Sequence, residues 1–222
     1  MTRTSKPLLI GLGSLILGSA AALAAQPAVK GGETRMYVAA GPLAMPNVPS
    51  IDDKAFQKEI LDAHNRERRS LGLSDLKWSD DLAEDAEDWA KELAKTGTMK
   101  HSSQRKHGEN LFFNGAGRRT AAQMVQGWLD EKQYFKPGYP MPDFSTTGNW
   151  AHVGHYSAVV WATTTEIGCA VGRGAKSDFL VCRYNPPGNM RGYTPYDPAV
   201  AKRAQEMAAA AALAAKKSGK KK

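Results

Sequence analysis

Four side chains carry reactive chemistry at positions that ought to be apolar or enclosed: His64, Glu109, Glu131 and His155. His155 lies in Gly154-His155-Tyr156-Ser157-Ala158-Val159-Val160-Trp161, a run that is otherwise small or apolar. A chain that buries such a run must give the imidazole a partner or use it, because an unpaired buried polar group is costly. His64 follows Phe56 and Ile60 at intervals of four, on the apolar stripe of a helix. Glu131 falls three residues beyond Trp128, on the stripe begun by Met124. Glu109 sits in Gly108-Glu109-Asn110, just before Leu111-Phe112-Phe113. Two imidazoles and two carboxylates in such places suit two chemistries. They can ligate a divalent metal through imidazole nitrogens and carboxylates, or act as an acid/base set whose pKa values are driven apart by burial and charge. The expectation is that all four meet in one cleft.

The competing sites are weaker. His101 and His107 flank the basic stretch Gln104-Arg105-Lys106 and read as exposed. His152-x-x-His155 offers a pair, but Trp150 and Val153 beside it favour packing. No H-E-x-x-H spacing occurs. Ser157 adjoins His155 but points elsewhere on any regular element, and no G-x-S-x-G elbow is present. A serine hydrolase is therefore poorly supported.

The elements that must position these residues can be read from caps and periodicity. Ser50-Ile51-Asp52-Asp53 marks a helix start with Ser50 as N-cap, running through His64 and ending near Gly72. Ser79-Asp80-Asp81 begins a second helix with Leu82, Ala86, Trp89, Ala90 and Leu93 inward, stopped by Gly97. Its early acids suit the positive end of the helix dipole and read as a solvated face. Residues 99–117 read as irregular. Thr120-Ala121-Ala122-Gln123 is a capping box for a third helix. Residues 137–148 form a loop rich in Pro, Gly and Thr.

A hairpin follows. Ile167, Cys169 and Val171 alternate on one strand, and Leu180, Cys182 and Tyr184 on the next. A turn between Ala175 and Lys176 sets Cys169 opposite Cys182, at a distance a disulfide can bridge. The bond is expected in an exported protein.

The two ends differ from the body. Residues 1–25 read as a secretory signal peptide: Arg3 and Lys6, then an apolar stretch from Leu8 to Leu17, then small residues around Ala22-Leu23-Ala24-Ala25. Residues 26–50 read as a linker or arm. The body spans 51–198, and 199–222 reads as an Ala-rich helix opened by Asp197-Pro198 and ending in a Lys-rich tail. The formal net charge is +8, yet residues 51–199 hold 19 Lys and Arg against 20 Asp and Glu. The excess is terminal, so the folded body is no sequence-specific nucleic-acid binder by charge. The tail offers contact with an anionic envelope or polyanion. No segment of the mature chain is apolar enough to span a bilayer. Export places the protein outside the cell or in a periplasm.

The motifs resemble those of the CAP or SCP superfamily, the cysteine-rich secretory, antigen 5 and pathogenesis-related 1 proteins. Gly154 to Trp161 is similar to its first signature. Phe179-Leu180-Val181-Cys182-Arg183-Tyr184-Asn185-Pro186-Pro187-Gly188-Asn189 is similar to its second. His64-Asn65-Arg66, Gly108-Glu109-Asn110 and Trp128-Leu129-Asp130-Glu131 resemble the segments that give the family its cleft residues. The resemblance implies an α+β fold, a three-layer α-β-α sandwich with a small, mainly antiparallel sheet, in which the His155 stretch is a short helix. It implies a cleft of His64, Glu109, Glu131 and His155 that can hold zinc or magnesium. It also implies a secreted module binding a lipid, a sterol or another small ligand, with Phe112, Phe113, Tyr134, Phe135 and Tyr139 as candidate apolar surface. The alternative is a metal-dependent, peptidase-like hydrolase acting on peptides or envelope material. The set lacks an evident nucleophile or oxyanion device, which favours binding over catalysis. Cysteines for one disulfide only, and the simple leader, point toward a bacterial source.

Overall fold

The computed structural model describes residues 47–219. The proposed leader, most of the proposed arm and Lys220 to Lys222 lie outside the described residues, as do the side chains of Lys216 and Lys217. In chain order the elements are α1 (Lys54–Ser70), β1 (Lys77–Trp78), α2 (Asp80–Thr96), β2 (Gly108–Gly115), α3 (Ala121–Leu129), α4 (Gly154–Val159), β3 (Glu166–Arg173), β4 (Ser177–Asn185) and α5 (Pro198–Gly219). Short 3-10 turns cover Asp130–Tyr134 and Trp150–His152.

The caps explain most boundaries. Ser79 accepts from Leu82 N at the start of α2, and Gly97 ends that helix at φ +64°, a left-handed conformation that costs glycine little. Thr120 and Gln123 form the reciprocal capping box of α3. The expected start of α1 moves by three residues. Asp53, not Ser50, is its N-cap, accepting from Ala55 N at 2.8 Å, while Ser50 Oγ accepts from Asp52 N in the turn before. Both residues satisfy the cap chemistry, and the chain uses the one nearer the apolar stripe.

The sheet order is β1-β3-β4-β2. β1 runs parallel to β3, and the other two pairings are antiparallel. The hairpin register is Ile167 opposite Tyr184, Cys169 opposite Cys182 and Val171 opposite Leu180, and the two cysteines are bonded. β2 corrects the expectation of an irregular segment over 99–117. Gly108-Glu109-Asn110-Leu111-Phe112-Phe113 has no period-2 alternation to announce a strand, and tertiary pairing with β4 creates one. That pairing sets Glu109 opposite Arg183.

Helices cover both faces of the sheet. Ile167, Cys169, Leu180 and Tyr184 pack against Phe56 and Ile60 of α1 and against Met124 and Trp128 of α3. On the other face Ala170, Phe179 and Val181 meet Ala86, Ala90 and Leu93 of α2. There α2 lies close enough that a Cβ on Gly172 would sit 2.0 Å from Ala90 O, and one on Gly168 2.2 Å from Ala83 N. A third cluster joins Tyr156 and Val159 of α4 to Leu71, Phe135, Phe144 and Tyr196. The result is the α-β-α sandwich. Among the described residues no helix is long and apolar enough to cross a membrane.

Candidate functional site

His101, Glu109 and His155 line one hollow of about 270 Å³, whose wall also includes Asn110, Met141, Trp150, Ala151 and Asn189, and each of the two histidines is paired with a glutamate. The first pair belongs to α4. His155 Nδ1 lies 2.6 Å from Glu131 Oε1, and since a carboxylate only accepts, the ring donates. Glu131 Oε2 also accepts from the backbone N of His155 and of Tyr156, both at 3.0 Å. One carboxylate thus caps a short helix and sets the tautomer of its histidine. Glu131 reaches this position because the 3-10 turn Asp130–Tyr134 swings it beyond the end of α3. Trp128 stacks beside the His155 ring at an interplanar angle of 18°.

The second pair is His101 with Glu109. His101 Nδ1 bonds Glu109 Oε1. Glu109 also accepts from Ser102 N at 3.1 Å and from the Arg183 guanidinium. Arg183 is buried and is itself held by Asp85 Oδ1 at 2.5 Å and Ser102 Oγ at 3.0 Å. Burial works to raise the Glu109 pKa, but the hydrogen bonds from His101 and Ser102 and the charge of Arg183 outweigh it, and the carboxyl titrates below its ordinary range.

His64 does not reach the hollow. It is 0% exposed, and both ring nitrogens are used. Nδ1 donates to Ile60 O at 2.8 Å, and Nε2 accepts from the Tyr184 hydroxyl at 2.9 Å. Burial pushes its pKa down to about 4, aided by Arg68 and opposed by the bond to Ile60. Asn110 Nδ2 lies 3.1 Å from Tyr184 Oη and 3.0 Å from His155 O, so His64 braces the site from behind. An apolar stripe signals enclosure, and for His64 the enclosure is core. The fourth member of the cleft is instead His101, whose side chain is 65% exposed. Its signal was its place just upstream of Glu109, across a short loop whose basic residues suggested only solvent. The expected ligand set of His64, Glu109, Glu131 and His155 is therefore not assembled. His152 is occupied within its own loop by Thr147 Oγ1 at 2.9 Å. Ser157 is sealed, its hydroxyl 2.5 Å from Asn189 Oδ1.

Of the aromatic residues named for an apolar surface, Phe112 and Phe135 lie in different clusters. Phe135 is buried against Phe144 and Tyr156, and Phe112 packs on the α1/α3 side. Phe113 meets Phe179 and is 49% exposed. Tyr139 lies under Lys136.

Comparison with known proteins decides the family. Residues 61–184 match the Cysteine-rich secretory protein family, CAP. The chain belongs to the CAP family. Pathogenesis-related protein 1A of Nicotiana tabacum is 38% identical over 141 residues, which cover 63% of this CAP chain and 80% of that protein. Cysteine-rich venom protein helothermine of Heloderma horridum horridum is 32% identical over 173 residues, 69% of this chain and 67% of that one. Among solved structures, the crystal structure of NaASP2 with Zn2+ is 27% identical with a TM-score of 0.53, over 65% of this chain and 86% of that one. The structure of BmVAL-1 superposes with a TM-score of 0.54 at 23% identity, over 65% of this chain and 82% of that one, and supports the fold alone.

The donor set of this CAP domain limits what a metal would find. Among the described residues no group of three or more His, Cys, Asp and Glu is arranged to hold an ion. Each carboxylate is committed to a histidine Nδ1, which leaves the two Nε2 atoms as donors. That is the outer-shell arrangement by which carboxylates orient and strengthen imidazole ligands. Two imidazoles with water completing the shell fit zinc, and fit magnesium poorly, since magnesium prefers oxygen.

Proposed function

We propose that this CAP domain is a secreted binding module whose hollow holds a divalent ion, zinc before magnesium, between the Nε2 atoms of His101 and His155. The observation that carries the reading is the mirrored pairing. Each histidine is fixed through Nδ1 by its own glutamate, and both line the same hollow. A site with so few protein donors holds its ion loosely and keeps positions open for a ligand, which suits binding and exchange rather than a structural role. A relative solved with Zn2+ adds support. The hydrolase alternative finds no observation in its favour: Ser157 is enclosed, and both carboxylates are engaged by imidazoles. For a lipid or sterol, the candidate aromatic residues Phe112 and Phe135 lie in different clusters, while Met141, Trp150 and Ala151 stand beside the histidines in this wall, so a small ligand with polar and apolar parts is the better match.

Calorimetric titration of the metal-free mature protein with zinc tests the proposal. A single saturable site is expected, lost in both His101→Asn and His155→Asn. In His64→Asn the folded protein should retain it. No zinc uptake, or uptake indifferent to His101, would sink the reading.

A further inference from the structure

A second hollow of about 250 Å³ adjoins the first, and His101, Glu109 and Asn189 belong to both walls. Its remaining wall includes Gln104, Arg105, His107 and Gly188. Three features give this lobe a chemical character. Among the described residues, Arg105 makes no ion pair, while Glu109 is already bonded by Arg183 and His101. Arg105 is thus a cation on this wall that no carboxylate among the described residues pairs. Second, the loop is stiffened. Gln104 Oε1 accepts from Lys106 N at 2.8 Å and from His107 N at 2.9 Å, and Gln104 Nε2 donates to His107 O at 3.1 Å. Third, His107 Nδ1 is enclosed and has no hydrogen-bond partner, a rare condition for a buried ring nitrogen in a finished site.

We propose that this lobe is an oxyanion site that takes the phosphate or sulfate group of a small ligand, with Arg105 as its charged clamp. The guanidinium fork matches a tetrahedral oxyanion in two parallel hydrogen bonds, which a lysine cannot do. His107 supplies a ring on the same wall. Because His101 stands in both walls, the rest of such a ligand extends toward the histidine pair. The chemical class is then a small phosphorylated or sulfated molecule rather than a sterol or a fatty chain. The lobe needs no zinc and stands or falls separately from the metal reading.

The test uses metal-free mature protein titrated with inorganic phosphate, sulfate and acetate at low ionic strength, followed by backbone amide shifts. Phosphate or sulfate should give saturable shifts confined to residues 102–109 and 188–189, with acetate weaker. Whichever of phosphate and sulfate binds more tightly assigns the ligand's group. Arg105→Gln, an exposed substitution that leaves the core untouched, should weaken binding by about tenfold, the cost of losing charge-assisted hydrogen bonds. Lys91→Gln on α2 should change nothing. His155→Asn should abolish zinc uptake and leave phosphate binding in place, which keeps failure of the two readings distinguishable. Non-saturating shifts spread over the lysines, acetate bound as tightly as phosphate, or Arg105→Gln equal to wild type would each overturn the proposal.

Discussion

His64 stays neutral in the fold at ordinary pH, and this has a measurable consequence. Its pKa falls from 6.5 to about 4 on folding, with burial as the main cause. Below 6.5 the unfolded chain takes up a proton that the folded chain refuses, so stability drops as pH falls from about 6.5 to about 4 and the loss then levels off. The shift corresponds to about 3 kcal/mol at most. Glu109 adds a second, more acidic window. Its folded pKa is depressed, so the stability it contributes is present above the ordinary carboxylate range and is lost as pH falls through the folded value. Urea denaturation at a series of pH values should show the first window in wild type and its loss in His64→Gln. An unchanged slope in that variant would place the titration elsewhere. The same residue shows the limit of reading single side chains. Periodicity put His64 on an inward stripe, which was right about enclosure and silent about whether the enclosure was core or cleft.

At the scale of elements, α4 depends on side chains from elsewhere. Six residues make too short a helix to stand alone. Glu131 caps its first N–H groups, and Arg68 of α1 donates to Val159 O and Trp161 O at its far end, each at 2.9 Å. A carboxylate at the start and a guanidinium at the finish also match the helix dipole. Arg68 is buried with no carboxylate partner among the described residues, and its other bonds go to Ser74 O and Thr164 O. Burial lowers its pKa to about 10, so it remains charged. Glu131→Ala should therefore do two things. It should cost about 1–2 kcal/mol of stability, as for a lost helix cap. It should also weaken zinc binding by about 10–100-fold, as for loss of an outer-shell partner. Thermal melts and calorimetry on one preparation separate the two effects. Loss of stability with unchanged zinc affinity would reduce Glu131 to a cap.

For the whole molecule, the three layers are tied through the central hairpin. Cys169–Cys182 joins β3 to β4 in the face that meets α1 and α3, and both residues are 0% exposed. Closing a loop of this size is worth about 3 kcal/mol, less whatever the hairpin's own pairing already restricts. A Cys169→Ala/Cys182→Ala double variant should unfold at lower denaturant while keeping the fold and the cleft. Equal midpoints would show that sheet pairing alone holds the hairpin.

The sequence by itself determined the family motifs, the caps of α2 and α3, the hairpin register and the cysteine pairing. Each rests on local spacing: a cap needs a particular residue within one turn, and a two-residue period sets which side chains face one another. What only the tertiary structure decided is who meets whom across distance. β2 became a strand because β4 offered it an edge, and that pairing placed Glu109 opposite Arg183. His101, isolated and flanked by charge in the chain, came to the cleft because Glu109 was there to bind it. His64 was drawn the other way, since Tyr184 and Ile60 O satisfied it within the core. Spacing along a chain measures which side of an element a residue occupies, whereas a site is set by partners that arrive from other elements.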